Sequence, residues 1–264
     1  MTGVHATRHG ENFQFTAPIV IDATGVNSAI AVNAGAGNQD SQRCAVAIRG
    51  YYENIAGLQN TVEFYFDESI LPGYYWSFPT SPTTANIGCG TFQHIIDERK
   101  LDLRNQMDGF FKNHPIVKEK LKNATLCGKL SGGKIPLAIE YQNSRVRDGL
   151  ILTGDAGSFT DPVTAEGISY AMTSGILAAE TAVEAINKNN YSAQQLSAYD
   201  NLWKTRFNRQ FSKAPFLTSL LSADIFADYL SKSFRENDRA LRSIGKLALQ
   251  YELMFKLKAL MKAI

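Results

Sequence analysis

The chain has few cysteines, little net charge and no long hydrophobic run, and each shortage excludes a class of protein. Its three cysteines, Cys44, Cys89 and Cys127, are far apart and have no histidine at ligand spacing, which argues against a disulfide framework and a metal site. The formal net charge of +2 is too small to indicate nucleic-acid binding. Without a signal-peptide pattern or an apolar run of about 18 residues, we expect a cytoplasmic protein that does not span a membrane.

The composition is that of a folded protein with an uneven charge distribution. Of the 264 residues, 44% are apolar and 20% are charged, which is enough to build a sizeable core. Residues 201–264 hold 12 Lys and Arg against 5 Asp and Glu, so the carboxyl-terminal tail is basic and the rest is slightly acidic.

A strand followed by a glycine-rich turn forms the clearest functional pattern. The apolar run Leu150 to Thr153 predicts a short buried strand, and Gly154 predicts a tight turn after it. Asp155 then lies at the carboxyl end of the strand. Ligands bind outside these ends in open α/β sheets, so Asp155 is placed to accept hydrogen bonds from sugar-like hydroxyls.

A long helix is predicted to begin at Glu166-Gly167. Its first N–H groups have no partner within the helix, and the helix dipole is positive there, so an anionic or electron-rich ring would be stabilised near Gly167 and Ile168. Small residues recur every fourth position from Gly167 to Ala179, which predicts close backbone approach along this stripe. An ordinary α/β protein with Gly-Asp after a strand is the alternative interpretation.

The order of these segments carries a family resemblance. Gly154-Asp155-Ala156-Gly157, then Asp161-Pro162, then Ala165-Glu166-Gly167-Ile168 resembles the second flavin-binding motif of FAD-dependent aromatic-ring hydroxylases, halogenases and geranylgeranyl reductases. One small residue is missing after Ala156, and Ala165 replaces the usual glycine. The resemblance implies that FAD is the cofactor. The residues implied to bind it are Asp155, Ala156, Gly157, Pro162, Glu166, Gly167 and Ile168.

The amino-terminal segment is predicted to be a hairpin that leads into a core strand. Residues His5 to Thr16 alternate in polarity, and Ile19 to Gly25 reads as a buried strand that ends in a glycine turn. Asp22 and Gly25, followed by Ser28, resemble a further FAD-contacting segment of the same family. A plain strand and loop is the alternative for these residues.

The glycine fingerprint of dinucleotide-binding folds does not occur in this sequence. Gly35-Ala36-Gly37 lacks the third glycine of G-x-G-x-x-G and a helix-forming sequel. We therefore expect the ADP-binding half of the FAD site to be missing from these residues. A truncated, inactive or partner-dependent flavoprotein fragment is one interpretation of the chain.

An aromatic strand marks the predicted substrate site. Strands are predicted at Cys44 to Arg49, Thr61 to Phe66, Tyr74 to Phe78 and Ala85 to Phe92, which together indicate an antiparallel sheet. Strand alternation places Tyr74, Trp76 and Phe78 on one face. Gly88 and Gly90 on the next strand leave room for a bulky group. Ordinary core packing is the alternative interpretation of this face.

The spacing of this segment resembles one family in particular. Tyr74, Trp76, Phe78 and Pro79, then eight residues, then Gly88-Cys89-Gly90 agree with the Tyr-x-Trp-x-Phe-Pro and Gly-x-Gly motif of geranylgeranyl reductases. The resemblance implies that this sheet covers a substrate cavity over the flavin. The residues implied to contact the isoprenoid substrate are Tyr74, Trp76, Phe78, Pro79, Gly88 and Gly90.

The remaining segments are predicted to be mainly helical. A helical region from Asp97 to Leu121 is interrupted at Asn113-His114-Pro115, which predicts two helices. Ser192 to Phe211 fits an amphipathic helix, and further helices are predicted after Pro215 and from Asn237 to Ile264. We expect this tail to pack on the substrate sheet. The alternative is that its basic face contacts anionic lipid at a membrane surface.

Together these patterns predict an α/β (α+β overall) fold. It comprises the carboxyl-terminal half of a Rossmann-like FAD domain in residues 1–40 and 141–190, an inserted antiparallel substrate-binding sheet in residues 41–140 and a helical tail in residues 191–264. The resemblance implies a flavin-dependent oxidoreductase that reduces carbon–carbon double bonds of a prenyl lipid, with NAD(P)H or another reductant as electron donor. A flavin-dependent monooxygenase or halogenase is the alternative reaction, and no residue stands out as the proton donor.

Overall fold

The structure, a computed structural model, describes residues 1–36, 44–138 and 144–212. Two sheets of different type organise this part of the chain. The strands in these ranges are β1 (Gly3–Arg8), β2 (Glu11–Thr16), β3 (Val20–Asp22), β4 (Cys44–Glu53), β5 (Glu63–Tyr65), β6 (Tyr74–Pro79), β7 (Ala85–Phe92), β8 (Thr125–Pro136), β9 (Val146–Arg147) and β10 (Leu150–Leu152). The helices are α1 (Ala29–Asn33), α2 (Gln93–Arg99), α3 (Leu103–Asn113), α4 (Pro115–Leu121), α5 (Ile168–Asn187) and α6 (Ala193–Phe211), and a 3-10 turn spans Gly154–Gly157.

The smaller sheet is built around β10 in the order β3-β10-β9. β10 pairs in parallel with β3, with Asp22 opposite Leu152, so the loops after both strands start from the same edge. All three β10 side chains are buried, which requires cover on both faces of the strand. Leu150 and Leu152 pack against α1, while Ile151 packs on the opposite face against α5 and α6.

Helix α6 packs on this smaller sheet, so the prediction that the tail packs on the substrate sheet is wrong for α6. Its buried residues belong to the same cluster as Ile151 and Phe159, and the Tyr199 hydroxyl donates to the carbonyl of Leu152 at 2.8 Å. Trp203 is completely buried and its Nε1 donates to Asp200 Oδ1 at 2.9 Å. The reason is the number of aromatic side chains that α6 directs at this layer, where they fill the space above β10. These side chains are Tyr199, Trp203, Phe207 and Phe211.

The helices predicted after Pro215 and over Asn237 to Ile264 lie outside the described residues, as does the basic face of the alternative prediction, lipid contact. Within the described ranges, no helix has both the length and the hydrophobicity needed to cross a membrane. Peripheral contact through the tail therefore stays a prediction.

The larger sheet is antiparallel and follows the order β5-β6-β7-β4-β8. Each of the four strands predicted for it is present, and β7 has the predicted bounds. Helices α2, α3 and α4 cover one face, where Tyr75, Cys89 and Met107 are buried. The rings of Tyr75 and Phe110 are stacked with centroids 3.9 Å apart, which fixes α3 on β6.

The predicted break between two helices is confirmed at His114, but the start at Asp97 is wrong, because α2 ends at Arg99 with Lys100 in a left-handed conformation and α3 begins at Leu103. His114 ends α3 and begins α4, where its Nδ1 accepts a hydrogen bond from the Val117 N–H at 3.3 Å. Pro115 occupies the first position of α4, where a missing N–H costs nothing. The predicted amino-terminal hairpin is also present, formed by β1 and β2.

Candidate functional site

Asp22 ends β3 and shapes the loop that follows it. Its buried carboxylate accepts hydrogen bonds from the Thr24 N–H at 3.0 Å, from the Thr24 hydroxyl at 2.7 Å and from the Ser28 hydroxyl. Ser28 in turn accepts from the Ala31 N–H at 2.9 Å and caps α1. Gly25 has a φ of 87°, a conformation that favours glycine. Asp22 therefore holds the loop at the sheet edge, and a ligand there would meet the loop rather than this carboxylate.

The turn after β10 presses against α5. Gly154 has a φ of 51°, its N–H donates to Ser174 Oγ at 3.0 Å, and a Cβ at this position would lie 3.3 Å from Ala171 Cβ. Close approach is thus confirmed at Ala171. Farther along the small-residue stripe, no described residue lies within 4 Å of the position of a Gly175 Cβ, and Ala179 is exposed, so the described part of the chain makes no close approach there. A helix of this length buries one face only, and here that face carries Tyr170, Ser174, Ala178, Thr181, Ala182 and Ala185.

Asp155 and the start of α5 lie next to each other. Asp155 is partly exposed, its Oδ1 accepts from the Thr160 hydroxyl at 3.2 Å, and burial raises the pKa of its carboxyl. A Cβ on Gly167 would lie 3.0 Å from Thr160 Oγ1 and 3.6 Å from Asp155 Oδ1. The structure therefore brings together the acceptor and the helix start that the sequence pattern singled out.

Other residues predicted to bind the cofactor are engaged within the protein. Ala156 is buried, and a Cβ on Gly157 would lie 2.7 Å from the Phe159 ring. The Glu166 carboxylate accepts from Ser169, from the N–H at 2.8 Å and from the hydroxyl at 2.9 Å. Glu166 therefore caps α5. Ile168, in contrast, is 78% exposed, so the first turn of the helix is open on that side.

The loop before α5 is organised by Asp161, which the sequence interpretation used only as part of a motif. Its Oδ1 accepts from the Val163 N–H at 2.9 Å, the Thr164 N–H at 2.7 Å and the Thr164 hydroxyl at 3.1 Å. Its Oδ2 is buried without a hydrogen-bond partner among the described residues, and burial raises the pKa of the carboxyl. Asp161 precedes by two and three residues the N–H groups that it binds, and the buried Pro162 follows it directly. An Asp at this spacing in a loop is the sequence signal for this role.

Five aromatic rings form one surface on the open side of the larger sheet, which we call the aromatic face: Phe64, Phe66, Tyr74, Trp76 and Phe78. The ring of Phe64 contacts those of Tyr74 and Phe78, with centroids 5.4 and 5.3 Å apart. Trp76 lies 6.0 Å from Tyr74 and 6.1 Å from Phe78. Phe66 is 55% exposed, so this face is not plain core. The strand alternation that placed three of these rings together is therefore confirmed.

The paired glycines lie directly opposite the aromatic strand. Gly88 pairs with Trp76, and Gly90 pairs with Tyr74. A Cβ on Gly88 would lie 2.4 Å from Trp76 Cζ2 and 2.4 Å from the carbonyl oxygen of Ile48. The bulky group that Gly88 accommodates is thus the Trp76 indole, whose Nε1 also donates to Asn86 Oδ1 at 2.9 Å. Pro79 ends the strand opposite Ala85.

A hydrogen bond joins the aromatic face to the loop before α5. The Tyr74 hydroxyl donates to the carbonyl of Thr164 at 2.8 Å, across 90 positions of sequence. Burial, with a smaller effect from the Asp161 charge, raises the pKa of Tyr74 to about 12, so the hydroxyl keeps its proton at neutral pH. The aromatic face is therefore in contact with the loop that leads to the helix start at Gly167.

Comparison with known proteins identifies relatives of this arrangement. Residues 43–129 match the family model of the geranylgeranyl reductase catalytic domain. Digeranylgeranylglycerophospholipid reductase of Methanococcus vannielii is 30% identical in an alignment 267 residues long that covers 95% of this chain and 65% of the relative. The enzyme of the same name from Thermoplasma volcanium is 37% identical over 148 residues, which are 56% of this chain and 36% of the relative. In these two matches the chain spans from about a third to two thirds of the relative.

Solved structures share the fold. A geranylgeranyl bacteriochlorophyll reductase-like protein from Thermoplasma acidophilum superposes with a TM-score of 0.76 and 27% identity, over 98% of this chain and 66% of that protein. The flavin-dependent brominase Bmp2 has a TM-score of 0.66 at 21% identity, over 94% of this chain and 61% of that protein, which is a likeness of fold alone. The predicted fold class is confirmed, and the chain is similar to geranylgeranyl reductases over most of its length.

Proposed function

We propose that this chain supplies the flavin-holding and substrate-binding parts of an FAD-dependent oxidoreductase that reduces carbon–carbon double bonds of a prenyl lipid. The observation that carries the proposal is the hydrogen bond from Tyr74 to Thr164, because it brings an open aromatic face against the loop that leads into α5. The relatives named above are reductases of a prenylated phospholipid, which supports the same reaction.

The residues at the sheet edge fit FAD. Asp155 is a partly exposed acceptor at the carboxyl end of a parallel strand, and Gly167 leaves the space beside it free of a side chain. The 20-residue helix α5 begins there with Gly167 as its cap residue, and the Gly167 and Ile168 N–H groups precede the Ser169 N–H that Glu166 binds. We propose that Asp155 accepts hydrogen bonds from the hydroxyls of the cofactor and that the helix start at Gly167–Ile168 stabilises its ring. The loop held by Asp22, which includes Gly25, is assigned a supporting contact.

Reduced FAD, when bound, supplies a hydride, and the double bond takes up this hydride and one proton while the flavin is oxidised. NAD(P)H or another reductant then restores the reduced flavin. The protein's own part is to hold the prenyl chain on the aromatic face and to exclude water from it. Burial of apolar surface favours this contact by roughly 25 cal/mol per Å².

The division of the chain follows from this assignment. We propose that residues 1–40 and 141–190 serve the cofactor, that residues 41–140 serve the substrate and that, within the helical region 191–264, α6 supports the cofactor part. Tyr74, Trp76 and Phe78 would contact the prenyl chain directly. Pro79, Gly88 and Gly90 would act indirectly, because they shape the strands on which these rings lie.

The first test is the visible absorption spectrum of the purified chain after incubation with FAD and removal of free ligand. We expect flavin bands to remain with the protein. The bound flavin is then reduced without oxygen and mixed with a geranylgeranylated glycerophospholipid, and we expect re-oxidation of the flavin together with saturation of the lipid. The saturated lipid is the control and should leave the flavin reduced.

Two results would contradict the proposal. A colourless protein would show that these 264 residues do not hold FAD by themselves. Oxygen consumption that depends on the substrate, without reduction of the lipid, would indicate a monooxygenase or halogenase instead.

A further inference from the structure

A single row of residues crosses the larger sheet on the aromatic face and ends in a cation. Strand register aligns Phe64 on β5 with Trp76 on β6, Trp76 with Gly88 on β7, and Gly88 with Arg49 on β4. Residues paired across strands point to the same face, so Arg49 emerges on the same side as the rings. A Cβ on Gly88 would lie 2.4 Å from Trp76 Cζ2 and 2.7 Å from Arg49 Cβ. The missing side chain at Gly88 thus makes the indole and the arginine direct neighbours.

Arg49 has no acidic partner in the described part of the chain. The ion pairs found there join Lys120 to Glu63 and Lys188 to Glu184. The Arg49 guanidinium lies instead over the ring of Tyr51, 5.1 Å from its centroid, and the residue is partly exposed. Its N–H donors are held beside an apolar surface and are available to a ligand.

The chemistry of this row defines an amphiphilic ligand. A guanidinium presents a planar set of donors that matches the oxygens of a phosphate, and it remains charged at all physiological pH values. Strands in a sheet are about 4.8 Å apart, so the backbones of Trp76 and Arg49, two strands apart, are separated by about 10 Å. A group bound to Arg49 therefore lies to one side of the ring row, and Tyr74 lies about 7 Å from Trp76 along β6, toward the loop before α5.

We propose that Arg49 binds the phosphate of the substrate's head group while the prenyl chain lies over Trp76 and Phe64 and reaches the Tyr74 end of the aromatic face. This inference rests on the proposed function, since it takes the aromatic face to be the surface that receives the lipid. It adds the orientation of the lipid, with the anionic end over β4 and the double bonds directed toward Tyr74.

The experiment uses the whole 264-residue chain without FAD and follows the fluorescence of Trp76, since Trp203 is completely buried in the other layer. Geranylgeranyl phosphate and geranylgeraniol are titrated separately, each below its micelle concentration. We expect the phosphate to bind about tenfold to a hundredfold more tightly than the alcohol, which is the range of a hydrogen bond to a charged group. Arg49→Gln should remove this difference and leave binding of geranylgeraniol unchanged.

Arg49→Lys keeps the charge and should retain part of the preference for the phosphate. The matched control is Arg99→Gln, which removes an exposed arginine that donates to the Glu68 carbonyl at 3.1 Å and belongs to α2, on the covered side of the sheet. This variant should bind both ligands like the wild type. Inorganic phosphate in hundredfold excess should fail to displace geranylgeranyl phosphate.

Three results would overturn the inference: an unchanged preference in Arg49→Gln, equal weakening of both ligands in that variant, or displacement by inorganic phosphate at the concentration of the lipid. If circular dichroism shows that Arg49→Gln is unfolded, Arg49→Lys and the effect of salt on the wild type are measured instead. Added salt should then weaken binding of the phosphate but not of the alcohol by the wild type. Because this experiment contains no flavin, its result does not depend on whether the chain binds FAD or reduces the lipid.

Discussion

Tyr74 combines two contacts in one side chain. Its ring belongs to the aromatic face and its hydroxyl holds the Thr164 carbonyl. Tyr74→Phe keeps the ring and removes the hydrogen bond, so the loop before α5 loses its tie to the sheet. We expect the affinity for FAD to fall about fivefold to tenfold, since a hydrogen bond of this kind contributes about 1 kcal/mol. Quenching of flavin fluorescence on binding measures the change.

The matched control for this substitution is Tyr65→Phe. The Tyr65 hydroxyl donates to Glu63 Oε2 at 2.8 Å, within β5, and therefore has no contact with the loop. This variant should lose a similar amount of stability and bind FAD like the wild type. Equal FAD affinity in both variants and the wild type would show that the Tyr74 hydroxyl does not position the loop.

Asp161 makes stability depend on pH. Burial raises the pKa of this carboxyl, so the folded protein binds the proton more tightly than the unfolded chain does. The stabilisation from this proton is fully present below about pH 4, the ordinary pKa of Asp, and is lost as the pH rises through the folded-state value. We expect Asp161→Asn to show a smaller loss in free energy of unfolding than the wild type between pH 4 and neutrality, as measured by urea denaturation at each pH.

The same sign applies to Asp155, whose pKa burial also raises. The free energy of unfolding of the double variant Asp155→Asn/Asp161→Asn should therefore change less with pH than that of the wild type or of Asp161→Asn. If the free energy of unfolding of Asp161→Asn changes with pH as much as that of the wild type, the wild-type Asp161 Oδ2 is hydrated in solution and the carboxyl titrates as in the unfolded chain.

At the scale of elements, strand β7 depends on the absence of a side chain at Gly88. The carbonyl oxygen of Ile48, 2.4 Å from the position of a Cβ, belongs to the neighbouring strand and cannot move without disturbing the sheet. Gly88→Ala should therefore lower the free energy of unfolding by about 1–3 kcal/mol, the usual cost of overpacking. Denaturant unfolding measures the loss, and the emission of Trp76 should shift because its indole is displaced.

Gly109→Ala provides the matched control for this effect. Gly109 lies within α3, and nothing approaches the position of its Cβ within 4 Å. Alanine favours a helix over glycine by about 1 kcal/mol, so this variant should be slightly more stable than the wild type. If Gly88→Ala were as stable as Gly109→Ala, the close packing of Trp76 on β7 would be refuted.

For the whole molecule, the two tryptophans report on different layers. Trp203, a residue of α6, is completely buried against the smaller sheet, whereas Trp76 is partly exposed on the aromatic face. We expect iodide to quench Trp76 and to leave Trp203 unaffected, so the variant Trp76→Phe should show blue-shifted emission that iodide does not reduce. A prenyl lipid should protect Trp76 in the wild type. Protection of Trp203 instead would place the ligand in the smaller layer.

The aromatic face and the loop before α5 have different physical origins, although they are in contact. The face follows from strand alternation and from Gly88, both of which act between neighbouring strands. Its position relative to α5 follows from Tyr74 and Thr164, whose hydrogen bond joins the two layers. Catalysis of the proposed kind needs both, because the prenyl chain must be held and must also meet the cofactor.

The sequence by itself determined the local features. Strand periodicity predicted β4 to β7, Asn113-His114-Pro115 predicted the break between α3 and α4, and Gly154-Asp155 predicted the turn after β10. These features depend on residues within a few positions of one another, through side-chain alternation, backbone preference and capping, so they can be read from a linear pattern.

Only the tertiary structure decided which of these parts meet. The contact between Tyr74 and Thr164 spans 90 positions, and the alignment of Arg49 with Trp76 requires the register of three strands. The packing of α6 on the smaller sheet depends on the shape of the space above β10, which its aromatic side chains fill. Register and layer packing are set by the mutual fit of whole surfaces, and no single segment contains that information.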